Sequence, residues 1–128
     1  QSWRDLPVEE KIALINKLVE LCERDRDVFL ACEIRDGGKV SELAEGDFAQ
    51  IRACAEYFSG VAKNIPMGDG PAMDISDGMK GYAYREPWGV VAGIIPWNYP
   101  IVLTSWFMFP ALLSGNTIII KPASTSTS

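Results

Sequence analysis

The feature of this sequence that most constrains its fold is the uninterrupted apolar run Val90-Val-Ala-Gly-Ile-Ile95. A strand without polar alternation is typical of a parallel sheet, in which helices cover both faces. Pro96 ends the run, an apolar helix follows to about Leu113, and Gly115-Asn116 turns the chain. Thr117–Lys121 then predicts a second buried strand. Strand, helix and strand of these lengths predict one right-handed βαβ unit, and therefore an α/β fold.

The first half of the chain has helical periodicity. Apolar residues recur at three- and four-residue spacing after Pro7, where Asp5 is placed to cap the helix. Further helical patterns cover residues 27–35, which end at Asp36-Gly37-Gly38, and residues 41 to about 61. The sequence therefore predicts three helices, each with an apolar face, ahead of the βαβ unit.

The pattern changes between these two parts of the chain. Residues 66–78 are rich in Gly, Pro and Asp, which indicates a loop, and residues 81–85 alternate as a half-exposed strand. We therefore divide the chain into a helical segment of residues 1–65, a loop and hairpin segment of residues 66–89, and the βαβ unit of residues 90–128.

Charge and cysteine content exclude several classes of function. A net charge of −5 over 128 residues offers no surface for the phosphates of a nucleic acid. The three cysteines lack C-x-x-C spacing and the chain has no histidine, so no metal site is expected. The odd cysteine count and the absence of a signal segment favour a reducing compartment, the cytoplasm or an organelle interior, over secretion. The longest apolar stretch, residues 101–113, is too short to span a membrane.

Two polar residues lie where the predicted strands end, and in open α/β sheets ligands bind at that carboxyl edge. Asn98 could donate a side-chain N–H to an oxyanion, or it could simply cap the helix that follows. Lys121 could bind a ribose or a phosphate, or it could simply mark where the strand reaches the surface. Taken one at a time, both residues favour the structural interpretation.

Several irregular segments, taken together, change that balance. They read Arg85-Glu-Pro-Trp-Gly-Val-Val91, Ile95-Pro-Trp-Asn-Tyr-Pro100, Pro110-Ala-Leu-Leu-Ser-Gly-Asn116 and Lys121-Pro-Ala123. In this order and spacing they closely resemble the aldehyde dehydrogenase superfamily. The N-terminal helices of that family are similar to Asp36-Gly-Gly-Lys39 and Glu56-Tyr-Phe-Ser-Gly60, so the resemblance covers essentially the whole chain.

The resemblance implies NAD(P)-dependent oxidation of an aldehyde to a carboxylic acid by the complete protein. In the family a cysteine thiolate attacks the aldehyde, hydride passes to NAD(P)+, and a glutamate base hydrolyses the thioester. Asn98 matches the asparagine of the oxyanion hole, and Trp106 matches an aromatic wall of the substrate tunnel. The matching nucleophile and base lie downstream of the Lys121 motif, so this chain alone is expected to be inactive. Its own cysteines lie within helical patterns and are interpreted as packing residues: Cys22, Cys32 and Cys54.

The resemblance also implies a cofactor site for NAD or NADP. The segment that matches the lining of the nicotinamide consists of Ile94, Ile95, Pro96 and Trp97. Lys121 matches the lysine that hydrogen-bonds the adenosine ribose. The implied fold is an incomplete doubly wound, Rossmann-like cofactor domain, to which residues 1–65 belong as N-terminal helices. Residues 82–85 are implied to begin the hairpin that supports oligomerisation in the family.

Two residues depart from the family pattern. The family usually has a lysine after the tunnel tryptophan, and here that position is Phe107, which can neither relay protons nor donate a hydrogen bond. The third residue after Lys121 is commonly a glutamate that binds the ribose hydroxyls and repels a 2′-phosphate, and here it is the neutral Ser124. Either the cofactor preference leans toward NADP, or the site is no longer under selection for a cofactor.

Two functions therefore stay open from the sequence. The first is oxidation of a small aldehyde by a complete protein, with some similarity to the betaine- and aminoaldehyde-oxidising branch, and Asn98 and Lys121 favour it. The second is a non-catalytic truncated relative that acts as a structural or interaction subunit, and Phe107 and Ser124 favour it. For either function, the apolar surface of the strands predicts a homo-oligomer or a protein partner that covers it.

Overall fold

The computed structural model describes residues 2–65 and 67–126. A short 3₁₀ turn at Trp3–Asp5 precedes three helices: α1 (Val8–Arg24), α2 (Arg26–Gly37) and α3 (Ser41–Asn64). Four short strands follow: β1 (Gly68–Asp69), β2 (Met73–Ser76), β3 (Met79–Gly81) and β4 (Tyr84–Arg85). The chain continues as β5 (Val90–Ile94), α4 (Pro100–Leu113) and β6 (Thr117–Lys121).

The start of α1 differs from the sequence prediction. Pro7 occupies the N-cap position and makes no side-chain capping bond, so the prediction that Asp5 is the N-cap residue is wrong. Asp5 instead ends the 3₁₀ turn, which a tertiary contact holds in place: Trp3 Nε1 donates to the carbonyl of Leu112 in α4 at 3.0 Å. The backbone conformation of residues 3–5 is therefore stabilised by a hydrogen bond to a distant helix, and a local sequence pattern cannot predict such a contact.

The four helices share one apolar core. Phe109 and Leu113 of α4 are buried against residues of the three N-terminal helices, among them Ile15 and Phe48. Complete burial of such a side chain stabilises a fold by about 1.5–3 kcal/mol. The core therefore fixes α4 from the side opposite the sheet. Across the described ranges, no helix is long and apolar enough to cross a membrane.

The segment interpreted as a loop contains two antiparallel strand pairs. β2 and β3 form a hairpin whose turn residues Asp77 and Gly78 both have positive φ, 48° and 78°, as a type I′ turn requires. β1 pairs with β4 through Gly68↔Arg85 and Asp69↔Tyr84. The prediction of a loop over residues 66–78 is therefore wrong for β1 and β2. Strands this short carry too few residues to show an alternating pattern.

The predicted βαβ unit is confirmed in its element order and its parallel pairing. β5 and β6 run in register from Val90↔Thr117 to Ile94↔Lys121. Helix α4 covers one face so closely that a Cβ added to Gly93 would lie 3.6 Å from the Cβ of Phe107.

The other face of this strand pair is open in the described chain. Val90, Ile94 and Ile119 are all exposed there. The exposed apolar face is the one that the sequence predicted would need a partner, because α1, α2 and α3 pack on α4 and leave the second face of the sheet bare within the described residues.

Candidate active site

The segment between β5 and α4 projects from the carboxyl edge of the strand pair. Its first residue, Ile95, is only 2% exposed, and its N–H donates to the carbonyl of Lys121 at 3.0 Å. The four residues that follow are exposed: Pro96, Trp97, Asn98 and Tyr99. The chain therefore presents a short segment, anchored in the core at its start, at the edge where α/β sheets bind ligands.

Asn98 does not cap α4. The N-cap residue is Tyr99, and α4 has no side-chain hydrogen bond from its own N-cap. The amide of Asn98 makes no hydrogen bond within residues 2–65 and 67–126 and is exposed. The structural interpretation of Asn98 as a helix cap is therefore wrong, and its side-chain N–H groups are free to donate to a ligand.

Lys121 lies opposite Ile94 across the parallel pair, at the same level of the sheet. Its ammonium donates to the carbonyl of Pro122 at 2.9 Å and is exposed, which leaves donor capacity for a second partner. Ile94 beside it is 75% exposed, and Ser124 is exposed in the turn that follows β6. A cation beside an exposed apolar surface at one edge fits the polar and apolar parts of a dinucleotide.

The remaining predicted site residues lie further along α4. Trp106 and Phe107 are both about half exposed and line a shallow cleft of about 480 Å³ together with residues of α3, including Tyr57 and Phe58. Phe107 also packs against the sheet at Gly93. Phe107 therefore places an apolar side chain where the resemblance noted in the sequence implies a donor.

The three cysteines lie in the N-terminal helices, where Cys54 lines the cleft with Trp106 and Phe107, and Cys22 and Cys32 line a second cavity with Pro100 and Ile101. Cys22 is in α1, Cys32 in α2 and Cys54 in α3. Burial raises the pKa of the Cys22 thiol, and the charges of Asp25 and Glu23 raise it further. Burial also raises the pKa of Cys54, against the opposing effect of a hydrogen bond with Ser105. A nucleophilic cysteine needs a lowered pKa, so Cys22 and Cys54 have packing environments and not reactive ones.

The sequence did not predict the role of Glu33 in α2, which contacts the first turn of α4. Its side chain is 2% exposed, and Oε1 accepts from the N–H of Ile101 in the first turn of α4 at 3.2 Å. Oε2 accepts from the ammonium of Lys39. The available signal was a lone carboxylate set between apolar residues, since a buried charge of this kind needs partners.

Lys39 joins this carboxylate to two other elements. Its ammonium also donates to Asp47 Oδ2 in α3 and lies 4.9 Å from the centre of the Tyr99 ring. Burial lowers the pKa of Lys39, but hydrogen bonds with Asp47 and Glu33 and the charges of both outweigh burial, so the pKa is raised overall. The lysine therefore stays charged and links α2 and α3 to the start of α4.

A parallel βαβ unit with polar donors and an apolar surface at its carboxyl edge is the arrangement of a nucleotide-binding α/β protein. The sequence identifies which one: residues 1–128 match the model of the aldehyde dehydrogenase family over their whole length. The chain belongs to the aldehyde dehydrogenase family.

Individual relatives agree with this family. An aldehyde dehydrogenase of Emericella nidulans is 40% identical over 121 residues, which is 94% of this chain and 24% of that protein. A Saccharomyces cerevisiae relative, named as an NAD(P)+ aldehyde dehydrogenase, is 37% identical over 94% of this chain and 24% of its own length. The chain spans about a quarter of the length of the relatives it matches.

A solved structure confirms the predicted fold class. A variant of betaine aldehyde dehydrogenase from Staphylococcus aureus, in complex with NAD+, superimposes with a TM-score of 0.84 at 28% identity. The match covers 98% of this chain and 25% of that one. The chain therefore has the architecture of one part of an aldehyde dehydrogenase with a Rossmann-like cofactor domain.

Proposed function

We propose that the complete protein carrying this chain oxidises an aldehyde to a carboxylic acid with NAD+ or NADP+, and that this chain supplies the oxyanion donor and part of the cofactor site. The observation that carries the proposal is the free amide of Asn98, exposed at the carboxyl edge of β5 with no capping role. The family relationship supplies the reaction class.

Asn98 acts on the charge that develops during the reaction. When a thiolate adds to the aldehyde carbon, the carbonyl oxygen becomes an oxyanion, and the amide N–H of Asn98 donates to it. An amide has no charge to lose, so this donor works across a wide pH range. The thiolate and the general base are assigned to residues outside this chain, because the family positions that supply them lie downstream of the Lys121 motif.

The cofactor side of the site consists of four consecutive residues and the end of β6. Ile94, Pro96 and Trp97 are exposed and form an apolar wall for the nicotinamide. Ile95 is buried, and its N–H pairs with β6, so its contribution is limited to its backbone carbonyl. Lys121 donates to the ribose hydroxyls. When bound, the nicotinamide supplies the hydride acceptor.

Phe107 and Ser124 shape the remaining properties of the proposed enzyme. Phe107 packs against Gly93 and cannot relay a proton, so proton transfer depends on water or on residues outside this chain. Ser124 carries no charge that repels a 2′-phosphate, which favours acceptance of NADP+. Trp106 in the cleft with α3 is proposed as a wall of the substrate tunnel, and a betaine-type aldehyde is the proposed substrate class. The three free cysteines of this chain suit a reducing compartment within the cell.

The experiment is steady-state oxidation of betaine aldehyde and simpler aldehydes by the complete protein, followed by NAD(P)H formation. Asn98→Ala should lower kcat by about 10²- to 10³-fold, the usual effect of removing one oxyanion donor. The matched control is Asn64→Ala, which removes an exposed amide at the end of α3 and should leave kcat unchanged. Equal rates for wild type and Asn98→Ala would contradict the proposal.

The second candidate, a non-catalytic interaction subunit, is favoured by the apolar Phe107 where a donor is usual. The two functions differ in the size of the natural protein, because this chain of 14.1 kDa covers about a quarter of its relatives. An intact mass about four times larger supports the enzyme. A mass near that of the chain, with no NAD(P)H formation, supports the subunit.

A further inference from the structure

Helix α4 begins without a cap of its own. Its N-cap residue Tyr99 makes no side-chain capping bond, and its first turn contains no acidic residue. Pro100 at the first position has no N–H to satisfy, but the N–H of Ile101 needs an acceptor. A helix that starts immediately after the proposed oxyanion donor therefore depends on another element for its N-terminal hydrogen bond.

Glu33 supplies that acceptor from α2. Its Oε1 accepts the Ile101 N–H at 3.2 Å, and its negative charge lies at the positive end of the α4 dipole. The carboxylate is almost fully buried, so water does not compete for the bond. Glu33 thus performs the task that a local Ser, Asp or Asn usually performs, across a sequence separation of 68 residues.

Lys39 and Asp47 hold Glu33 in this position. The Lys39 ammonium donates to both carboxylates and contacts the ring of Tyr99, the residue between Asn98 and α4. Lys39 and Asp47 are themselves largely buried, with side chains 11% and 14% exposed. Glu33 and Lys39 therefore contact the chain just after Asn98 at two points: the ring of Tyr99 and the N–H of Ile101 in the first turn of α4.

We propose that Glu33 is a positioning residue for the oxyanion donor. The segment of residues 96–99 has two anchors: Ile95 on the β6 side, through the Lys121 carbonyl, and Ile101 on the α4 side, through Glu33. Asn98 lies between them and has no hydrogen bond of its own in the described chain, so these anchors fix the backbone position from which its amide projects. The proposal rests on the proposed function for its catalytic consequence.

Glu33→Asp tests it, because the shorter side chain keeps the charge beside Lys39 and withdraws the acceptor from Ile101. In the complete protein we expect kcat to fall by about tenfold to a hundredfold, the effect of a small misplacement of a catalytic group, with the KM for the cofactor nearly unchanged. The matched control is Glu23→Asp, the same change in the inter-helix ion pair with Arg52, and its kcat should equal that of wild type.

A double-mutant cycle separates positioning from general loss of structure. If Glu33 acts through Asn98, Glu33→Asp should cause no further fall in kcat in an Asn98→Ala background. A fall of equal size in both backgrounds would overturn the proposal, and so would an unchanged kcat in the folded single variant. If Glu33→Asp does not fold, Glu33→Gln replaces it, because glutamine keeps the side-chain length and an acceptor oxygen. Glu33→Gln should cause a smaller fall in kcat, and that fall should also be absent in the Asn98→Ala background.

Hydrogen exchange gives a measurement that does not depend on activity. In the same protein, the amides of residues 97–103 should exchange faster in Glu33→Asp than in wild type, and at the wild-type rate in Glu23→Asp. Unchanged exchange in Glu33→Asp would overturn the proposal. A wild-type protein that oxidises no aldehyde would refute the proposed function alone, and the exchange result would still decide whether Glu33 positions this segment.

Discussion

Gly89 and Asn116 are joined across the starts of the two parallel strands. Oδ1 of Asn116 accepts the N–H of Gly89 at 3.0 Å, and the carbonyl of Gly89 accepts the N–H of Thr117 at 2.8 Å. Asn116 is buried, and its Nδ2 donates to Oγ of Ser114. One side chain therefore ties the entry of β5 to the entry of β6 and holds their register.

Asn116→Ala should destabilise the strand pair. The substitution removes the part-buried hydrogen bond between Asn116 and the Gly89 N–H, which contributes about 0.5–1.5 kcal/mol. The measurement is the free energy of opening of the β6 amides by native-state hydrogen exchange. Asn64→Ala, which removes an exposed amide, should change this free energy of opening by no more than about 0.5 kcal/mol. Equal effects of the two variants would refute the role given to Asn116.

Lys39→Met should destabilise the protein by about 3–5 kcal/mol at neutral pH, because it leaves the buried Glu33 carboxylate without its cation. The pKa of Lys39 is raised above its ordinary value of 10.5, since its hydrogen bonds with Asp47 and Glu33 outweigh burial. Because the pKa of Lys39 is higher in the folded protein than in the unfolded chain, its contribution to stability is complete at any pH below the unfolded-state pKa. The contribution is lost as the pH rises through the folded-state pKa.

Urea unfolding of both proteins from neutral pH to above pH 10.5 checks this. The difference in the free energy of unfolding between wild type and Lys39→Met should be constant up to about pH 10 and should decrease above it. Lys17→Met, in an exposed pair with Glu20, should cost about 0.5 kcal/mol or less. A gap that stays constant, or one that widens at high pH, would contradict the assignment of charge to Lys39.

Cys22 and Cys54 should react slowly with iodoacetamide at neutral pH in the folded protein. Burial is the largest cause of the raised pKa of both thiols, so the thiolate fraction is lower than in an unfolded chain. Mass spectrometry of labelled peptides, with the chain in urea as the control, gives the rate for each cysteine. Faster labelling in the folded state than in urea would identify an activated thiol and contradict the prediction that this chain oxidises no aldehyde alone.

Ser124→Glu should shift the cofactor preference of the complete protein toward NAD+. A carboxylate at this position repels a 2′-phosphate, and one such repulsion in a partly buried site changes relative affinity by about tenfold to a hundredfold. Titration of NAD+ and NADP+ against the wild type and the variant measures the change. Thr125→Glu places the same charge one residue later and should have a smaller effect. Unchanged discrimination in Ser124→Glu would count against the role of this position.

The isolated 128-residue chain should associate in solution, because the open face of β5 and β6 exposes Val90, Ile94 and Ile119 beside strand edges that no described residue pairs with. Sedimentation should show oligomers, and Ile119→Lys should move the distribution toward monomer. Leu14→Lys, on the half-exposed surface of α1, is the control and should not. A monomeric wild-type chain that unfolds cooperatively and binds no hydrophobic dye would refute this prediction.

The sequence alone determined the central unit of this protein. Thr117–Lys121 is a strand with the predicted bounds, and α4 ends at Leu113 as expected. These elements are continuous apolar runs separated by Pro96 and by Gly115-Asn116, so they are visible locally in the sequence. The family could also be recognised from the sequence, because irregular motifs such as the one at residues 95–100 recur in order.

Which polar groups make hydrogen bonds and which do not depends on contacts between residues far apart in the chain. Asn98 is followed by a helix and has the residue type of a cap, yet Glu33 contributes the bond to Ile101 and Asn98 contributes none. Asp5 is also of a residue type that often caps helices, yet it ends the 3₁₀ turn that the contact of Trp3 with α4 holds in place. The physical reason is shared: hydrogen bonds between residues far apart in the chain leave no periodic trace in the sequence, and buried polar groups must find such partners wherever packing places them.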